Sequence, residues 1–336
     1  MKIVVDAFGG DYAPKEVVDG CIKALNNNPK LNLVLAGDKD QITKQLQESM
    51  FASDRLDIIH APDVISNNES PAMAVRRKTK ASIVVAYDYL KTNDDAIGLV
   101  SAGSTGATLT GAILKLGRIQ GVSRPALAPL LPTLAGSPVM LLDVGANVDC
   151  KPVNLLHFAL MANEYMKSIG VSEPKVALLN VGTEDEKGSE MVKEAFELLK
   201  NEANINFVGN IEAREVLKGN VDIVVTDGFA GNVCLKTIEG TVELLMTLIK
   251  NEIKASTWSK ICYAMGLKKP FKNVKAKMDY KKYGGAPLLG VSKVVIKCHG
   301  NSRADNIASA IEQAISLHKS KMIENISKAV EKNEQV

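Results

Sequence analysis

The sequence predicts an α/β fold with a largely parallel sheet covered on both faces. Nine apolar runs recur along the chain, most of them continuous rather than alternating, and the segments between them are long enough for helices. The runs also end alike, in Gly, Asp, Asn or Ser, as strands do where a sheet's carboxyl edge gathers loops around a ligand.

Taken in order, "KIVVDA" (2–7) opens the chain, and Asp6 interrupts its apolar stretch before it could serve as an export signal. "LNLVLAG" (31–37) and "LDIIHA" (56–61) follow, and "MAVRRKTKAS" (73–82) reads as a basic helix. "AIGLVSAG" (96–103) leads into "SAGSTGATLTGA" (101–112), a glycine- and hydroxyl-rich bend before the helical spacing of "AILKLGR". The stretch 125–142 runs eighteen positions without a charge, near the lower limit for a membrane span. Pro125, Pro129, Pro132 and Pro138 would break such a helix repeatedly, so two buried strands with a turn between them fit better. "PVMLLDVG" (138–145) closes that stretch, and "VNLLHFALMANEY" (153–165) is helical. "KVALLNVG" (175–182), "INFVG" (205–209), "VDIVVTDG" (221–228) and "VVIKCHG" (294–300) complete the strands. We expect a single α/β domain, 1–336, with a basic amphipathic helical segment, 240–282, inside it.

At 46% hydrophobic the chain has ample material for a core. Its five cysteines are scattered and form no metal-ligand spacing, so neither a disulfide framework nor a zinc site is expected, and a reducing cytoplasm is the simplest home. The net charge of +3 hides an asymmetry: residues 254–282 hold nine lysines and one aspartate, leaving about −5 elsewhere. One Trp and few other aromatics offer no stacking platform, so nucleic acid is not an expected partner.

The bend at 101–112 sits where backbone N–H groups at a helix start bind anions. It is not an ATP loop, because Gly106 and Gly111 are followed by Ala112 and Ile113 with no lysine. Nor is it a dinucleotide fingerprint, since "GSTG" replaces G-x-G-x-x-G. A small anion or phosphate-bearing group remains, held by N–H groups and by Ser101, Ser104 and Thr105.

Among four histidines, no Gly-x-Ser-x-Gly or HExxH pattern supports a hydrolase or metalloprotease. His157 falls in a helical run and reads as packed. His299, at a strand end beside Gly300 and Ser302, reads equally as ligand contact or structure. Lys187 in "NVGTEDEKG" belongs either to a solvated charge cluster or to a phosphate or oxyanion site. Asn232 in "TDGFAGNVCLK" is either a helix N-cap or an amide donor to a carbonyl.

Six stretches, "DAFGGDYAPKEVV", "SAGSTGA", "DVGANVDCKP", "NVGTEDEKG", "TDGFAGNVCLKTIEG" and "KYGGAPLLGV…CHGNS", together resemble the bacterial phosphate acyltransferase family, the acyl-acyl-carrier-protein:phosphate acyltransferases of phospholipid synthesis. The likeness runs from Val5 to about Ser302, in the family's order. Phe8 stands where the family usually has Met and His157 where Gln is common, while Glu184 and Asp185 vary a segment that is acidic in the family too.

The resemblance implies a Rossmann-like three-layer α/β/α fold related to phosphotransacetylases and to isocitrate and isopropylmalate dehydrogenases. It also implies a homodimer working at the membrane surface. Inorganic phosphate would attack the thioester of acyl carrier protein, with no metal and no cofactor, and the acyl phosphate would pass to a membrane glycerol-phosphate acyltransferase. On that reading Gly103, Ser104, Thr105 and Gly106 hold phosphate, with Gly9, Gly10, Asp11, Gly145, Asn147 and His299 as further substrate contacts, and Lys187 and Asn232 stabilise the oxyanion. A coenzyme A-dependent phosphotransacetylase would need the same loop, so the thiol donor separates the two.

Two surfaces suit two partners. Trp258, Ile261 and Met265, with Lys268 and Lys269, have the make-up of a helix lying on anionic lipid. Arg76, Arg77 and Lys78 are the candidate docking cluster for acidic acyl carrier protein.

Overall fold

The computed structural model describes residues 1–278 and 283–334. Its strands, among those residues, are β1 (Lys2–Asp6), β2 (Asn32–Gly37), β3 (Leu56–His60), β4 (Ala96–Ser101), β5 (Ala126–Leu127), β6 (Leu130–Leu131), β7 (Val139–Leu142), β8 (Lys175–Asn180), β9 (Asn206–Glu212), β10 (Ile223–Val225), β11 (Ala286–Leu289) and β12 (Val294–Lys297). All nine predicted runs are strands. They part into two sheets, ordered β3-β2-β1-β4-β12-β11-β5 and β6-β7-β10-β8-β9.

Pairing is parallel except for β5–β11, β11–β12 and β6–β7. Short connections force the last two, because a parallel partner needs a long crossover. Pro129 lacks the N–H that a continuous ladder requires, and the chain breaks there, sending β5 to the first sheet and β6 to the second. The charge-free stretch therefore forms a β6–β7 hairpin, as its prolines suggest, together with a short segment that the sequence did not separate.

The helices are α1 (Lys15–Asn27), α2 (Lys39–Glu48), α3 (Pro71–Arg77), α4 (Ser82–Thr92), α5 (Thr105–Gly111), α6 (Pro152–Ser168), α7 (Glu190–Asn201), α8 (Gly228–Ala255), α9 (Thr257–Cys262), α10 (Lys268–Met278), α11 (Ala304–Lys319) and α12 (Met322–Glu334). Successive strand residues face opposite sides, so both sides must be apolar when both are covered. Ile3 and Val5 pack with α1 and α11, while Val4 packs with α3, α4 and α5. In the second sheet Met140, Leu142, Ile223 and Val225 face α6 and α7, and Leu141 and Val224 face the start of α8. One apolar cluster draws on both sheets.

At about 42 Å, α8 outruns the core it starts on, and its buried residues are Gly228, Gly231, Cys234 and Leu235. Its far half, α9, a π-helical turn at Tyr263–Leu267 and α10 make a helical arm that runs through the basic segment as far as Met278. Residues 279–282 of that segment lie outside the described residues. Leu244, Leu245 and Leu248 are exposed on the arm, as are Trp258 (72%) and Met265 (83%). No described helix is long and apolar enough to cross a membrane.

Candidate active site

Parallel strands bring their carboxyl ends to one edge. In the first sheet the ends of β1, β4 and β12 lie side by side, and in the second those of β7 and β10. Two cavities open along that edge, of about 310 Å³ and 360 Å³, and Thr105 and Lys297 line both.

The first cavity is walled by the loops after β1 and β4. Asp6 ends β1, buried, and its Oδ2 accepts from the Ser101 hydroxyl at 2.7 Å. Ser101 Oγ in turn accepts from the Gly103 N–H at 3.0 Å. Gly9 fits between them only because it lacks a side chain: a Cβ there would stand 2.6 Å from both Asp6 Oδ2 and the Gly103 nitrogen. Ser104 caps α5, accepting from the Ala107 N–H at 3.4 Å, so the strand–bend–helix expected at 101–112 is present. Lys297 ends β12, buried, and donates to the Cys298 carbonyl. Burial pushes the Asp6 carboxyl above the usual carboxylate range and draws the Lys297 ammonium below its ordinary value.

The second cavity rests on Asp143, which is fully buried. Its carboxylate accepts from the backbone N–H groups of Leu127 (3.0 Å), Ala146 (3.1 Å) and Asn147 (2.7 Å) and from Asn147 Nδ2 (2.9 Å). Burial nonetheless raises its titration above the usual range. The start of α8 packs on this loop so closely that a Cβ at Gly231 would lie 1.9 Å from the Asp143 carbonyl oxygen. Asp227 caps α8 by accepting from Phe229 and Ala230 N–H groups. Asn232 is therefore not the N-cap. It stands a turn into the helix, exposed, facing Gly145, and its amide makes no hydrogen bond among the described residues.

The fold thus brings Gly9, Gly10, Asp11, Gly103, Ser104 and Thr105 to one cavity, and Thr105, Gly106, Gly145, Asn232 and His299 to the other. Asn147 lines neither. Its two amide donors go to Asp143 and the Pro125 carbonyl, the latter at 2.7 Å, so it braces the loop. Lys187 lines neither cavity and lies exposed after β8, where its carbonyl accepts from Asn180 Nδ2 at 2.9 Å. His157 is packed, with Nδ1 3.0 Å from the Ser123 hydroxyl. Arg76 and Arg77 are exposed at the end of α3, which packs on α5 through Pro71 against Gly106. Lys78 is engaged by Glu69 at 2.8 Å and the Val64 carbonyl at 3.0 Å. Ile261, Lys268 and Lys269 are exposed on the arm beside Trp258 and Met265.

Sequence reasoning passed over Asp6, Asp143 and Lys297. Each carried a signal, a charged residue closing an apolar run, which local pattern reads as the strand's exposed end. A third cavity, of about 590 Å³, shares Leu235, Glu239 and His299 with the second and runs along α8 past Ile238, Val242 and Met246.

The family model described as "Fatty acid synthesis protein" matches residues 1–325. The phosphate acyltransferase of Clostridium tetani is 47% identical over 327 residues, covering 97% of each chain. Among solved structures, a phosphotransacetylase from Streptococcus pyogenes superposes with a TM-score of 0.60 at 18% identity, covering 98% of this chain and 94% of that one. A putative 4-hydroxythreonine-4-phosphate dehydrogenase from Salmonella typhimurium gives 0.51 at 15% identity, over 94% and 99%. These two likenesses are of fold: mostly parallel sheets with helices on both sides.

Proposed function

The chain belongs to the family of fatty acid synthesis proteins and is an acyltransferase acting on phosphate, and from that premise we propose that its donor is acyl-acyl carrier protein and its product an acyl phosphate for phospholipid synthesis. The observation that carries this reading is the pair of adjoining cavities with Thr105 and Lys297 between them. Inorganic phosphate occupies the cavity of loops and N–H groups, and the thioester enters the other. A phosphate oxygen attacks the thioester carbonyl, the C–O bond forms, the C–S bond breaks, and the carrier thiolate leaves and takes up a proton. Phosphate is already anionic at neutral pH, so orientation and charge neutralisation matter more than a strong base. Asn232, with its amide unengaged beside Gly145, donates to the carbonyl oxygen as negative charge develops there. Lys187, which lines neither cavity, is the second candidate for neutralising that charge.

The apolar wall of α8 in the third cavity suits the acyl chain. Arg76 and Arg77 receive the acidic carrier protein beside the phosphate loop. Trp258, Ile261 and Met265, with Lys268 and Lys269, rest on anionic lipid, from which a membrane glycerol-phosphate acyltransferase collects the product. The test is to mix the protein with phosphate and long-chain acyl-acyl carrier protein and trap acyl phosphate as hydroxamate with hydroxylamine. We expect trapping that needs both substrates and is weaker with acyl-coenzyme A. A folded protein that yields no hydroxamate from either donor would overturn the reading.

A further inference from the structure

Two charged groups in the first cavity keep bonding capacity that the protein does not use. Lys297 is 8% exposed, and its ammonium, with three N–H donors, has the Cys298 carbonyl as its hydrogen-bond partner among the described residues. No carboxylate among those residues lies within 4.0 Å of it. Asp6 is 2% exposed, and while Oδ2 is held by Ser101, Oδ1 has no hydrogen-bond partner. Both residues line the same cavity. Buried donors and acceptors left unmade are costly, and they are rare unless something else completes them.

A cation with spare donors and a carboxylate oxygen with a spare acceptor, in one cavity and too far apart to pair, complement a ligand that carries both an anionic oxygen and a proton. Near neutral pH, hydrogen phosphate is such a ligand and sulfate, which keeps no proton, is not. We propose that Lys297 and Asp6 select the acceptor by its protonation, Lys297 Nζ donating to a P–O⁻ oxygen and Asp6 Oδ1 accepting from the P–OH. The remaining oxygens face Thr105 and the N–H groups of the loop after β4. Burial, the largest influence, raises the titration of Asp6, and the Ser101 hydroxyl and the Lys297 charge oppose it in favour of the carboxylate. The same carboxylate repels an anion that has no proton to give. This assignment rests on the reading that the first cavity holds phosphate.

The experiment measures phosphate KM and competition by inorganic sulfate in the acyl phosphate assay, for the full chain and for Asp6→Asn, Lys297→Met and Lys297→Arg. A hydrogen bond to a charged group predicts that sulfate competes only at concentrations about ten- to a hundredfold above the phosphate KM. Asp6→Asn, whose amide can donate, should narrow that gap about tenfold while weakening phosphate. Lys297→Met should raise phosphate KM by about tenfold or more, with partial rescue by Lys297→Arg. Sulfate competing as well as phosphate in the unsubstituted protein, or an unchanged ratio in Asp6→Asn, would overturn the assignment. If Asp6→Asn fails to fold, the sulfate ratio of the unsubstituted protein and the Lys297 pair still decide it. Acyl phosphate formation without sulfate discrimination defeats this inference alone, whereas no acyl phosphate from any thioester defeats the reading beneath it.

Discussion

Ser101 donates to Asp6 across 2.7 Å, tying together the ends of two neighbouring strands that lie 95 residues apart in sequence. Ser101→Ala would strip a buried carboxylate of that donor and the Gly103 N–H of its acceptor. We expect a loss of about 1–3 kcal/mol in urea unfolding together with a weaker phosphate response. An unfolding midpoint equal to that of the unsubstituted protein would show that the tie carries no stability.

Asp6 also sets a pH dependence. Burial raises its folded-state pKa above the ordinary 3.8, so the stability it contributes is full below 3.8 and is lost as pH rises through the folded value. Asparagine does not titrate. The melting temperature of Asp6→Asn should therefore gain on the unsubstituted protein as pH rises above 3.8, and a gap that stays constant with pH would refute the shift.

Gly231 and Gly240 share α8 and should respond oppositely to alanine. At Gly231 the new Cβ would lie 1.9 Å from a backbone oxygen, which no rotamer change relieves. Loss of more than about 4 kcal/mol or failure to fold is expected there. At Gly240 nothing stands within 4 Å, so Gly240→Ala should stabilise by about 0.5–1 kcal/mol through helix propensity alone. Thermal melts of the two variants side by side check both signs.

Reversing Arg76 and Arg77 to Glu tests the docking surface. Both are exposed, and neither is needed by the core. The expected outcome is a kcat/KM for acyl-acyl carrier protein lowered about tenfold at low salt, with the gap closing as salt rises and phosphate KM unmoved. Equal kinetics at every salt concentration would place the carrier protein elsewhere.

Trp258, the single tryptophan, reports on the arm directly. It is 72% exposed, so its emission should shift to the blue when anionic liposomes are added and stay put with neutral ones. An unchanged spectrum with both would remove the lipid contact.

Much of this molecule was legible along the chain. The nine apolar runs became strands, the bend at 101–112 became a capped helix start, and the polar ends of β1, β4, β7, β10 and β12 converged on two cavities. These features were readable because periodicity, turn chemistry and capping act over a few residues. Other features depend on partners that are not local. Asn147 looked like a substrate contact, yet Asp143 and the Pro125 carbonyl, 22 residues back, claim its amide. Asn232 looked like a possible helix cap, yet Asp227 takes that place.

Lysine shows the division most plainly. By itself the sequence determined the fold class and the edge where the polar loops gather, because strand runs and their polar ends are properties of short segments. Only the tertiary structure decided which ends meet. It set Lys297, the last residue of an apolar strand, between the two cavities, and left Lys187, in the more conspicuous loop, exposed. Strand order and register are chosen by packing across the whole chain, and a side chain is drawn into a cavity or left in water by neighbours that the sequence holds far away.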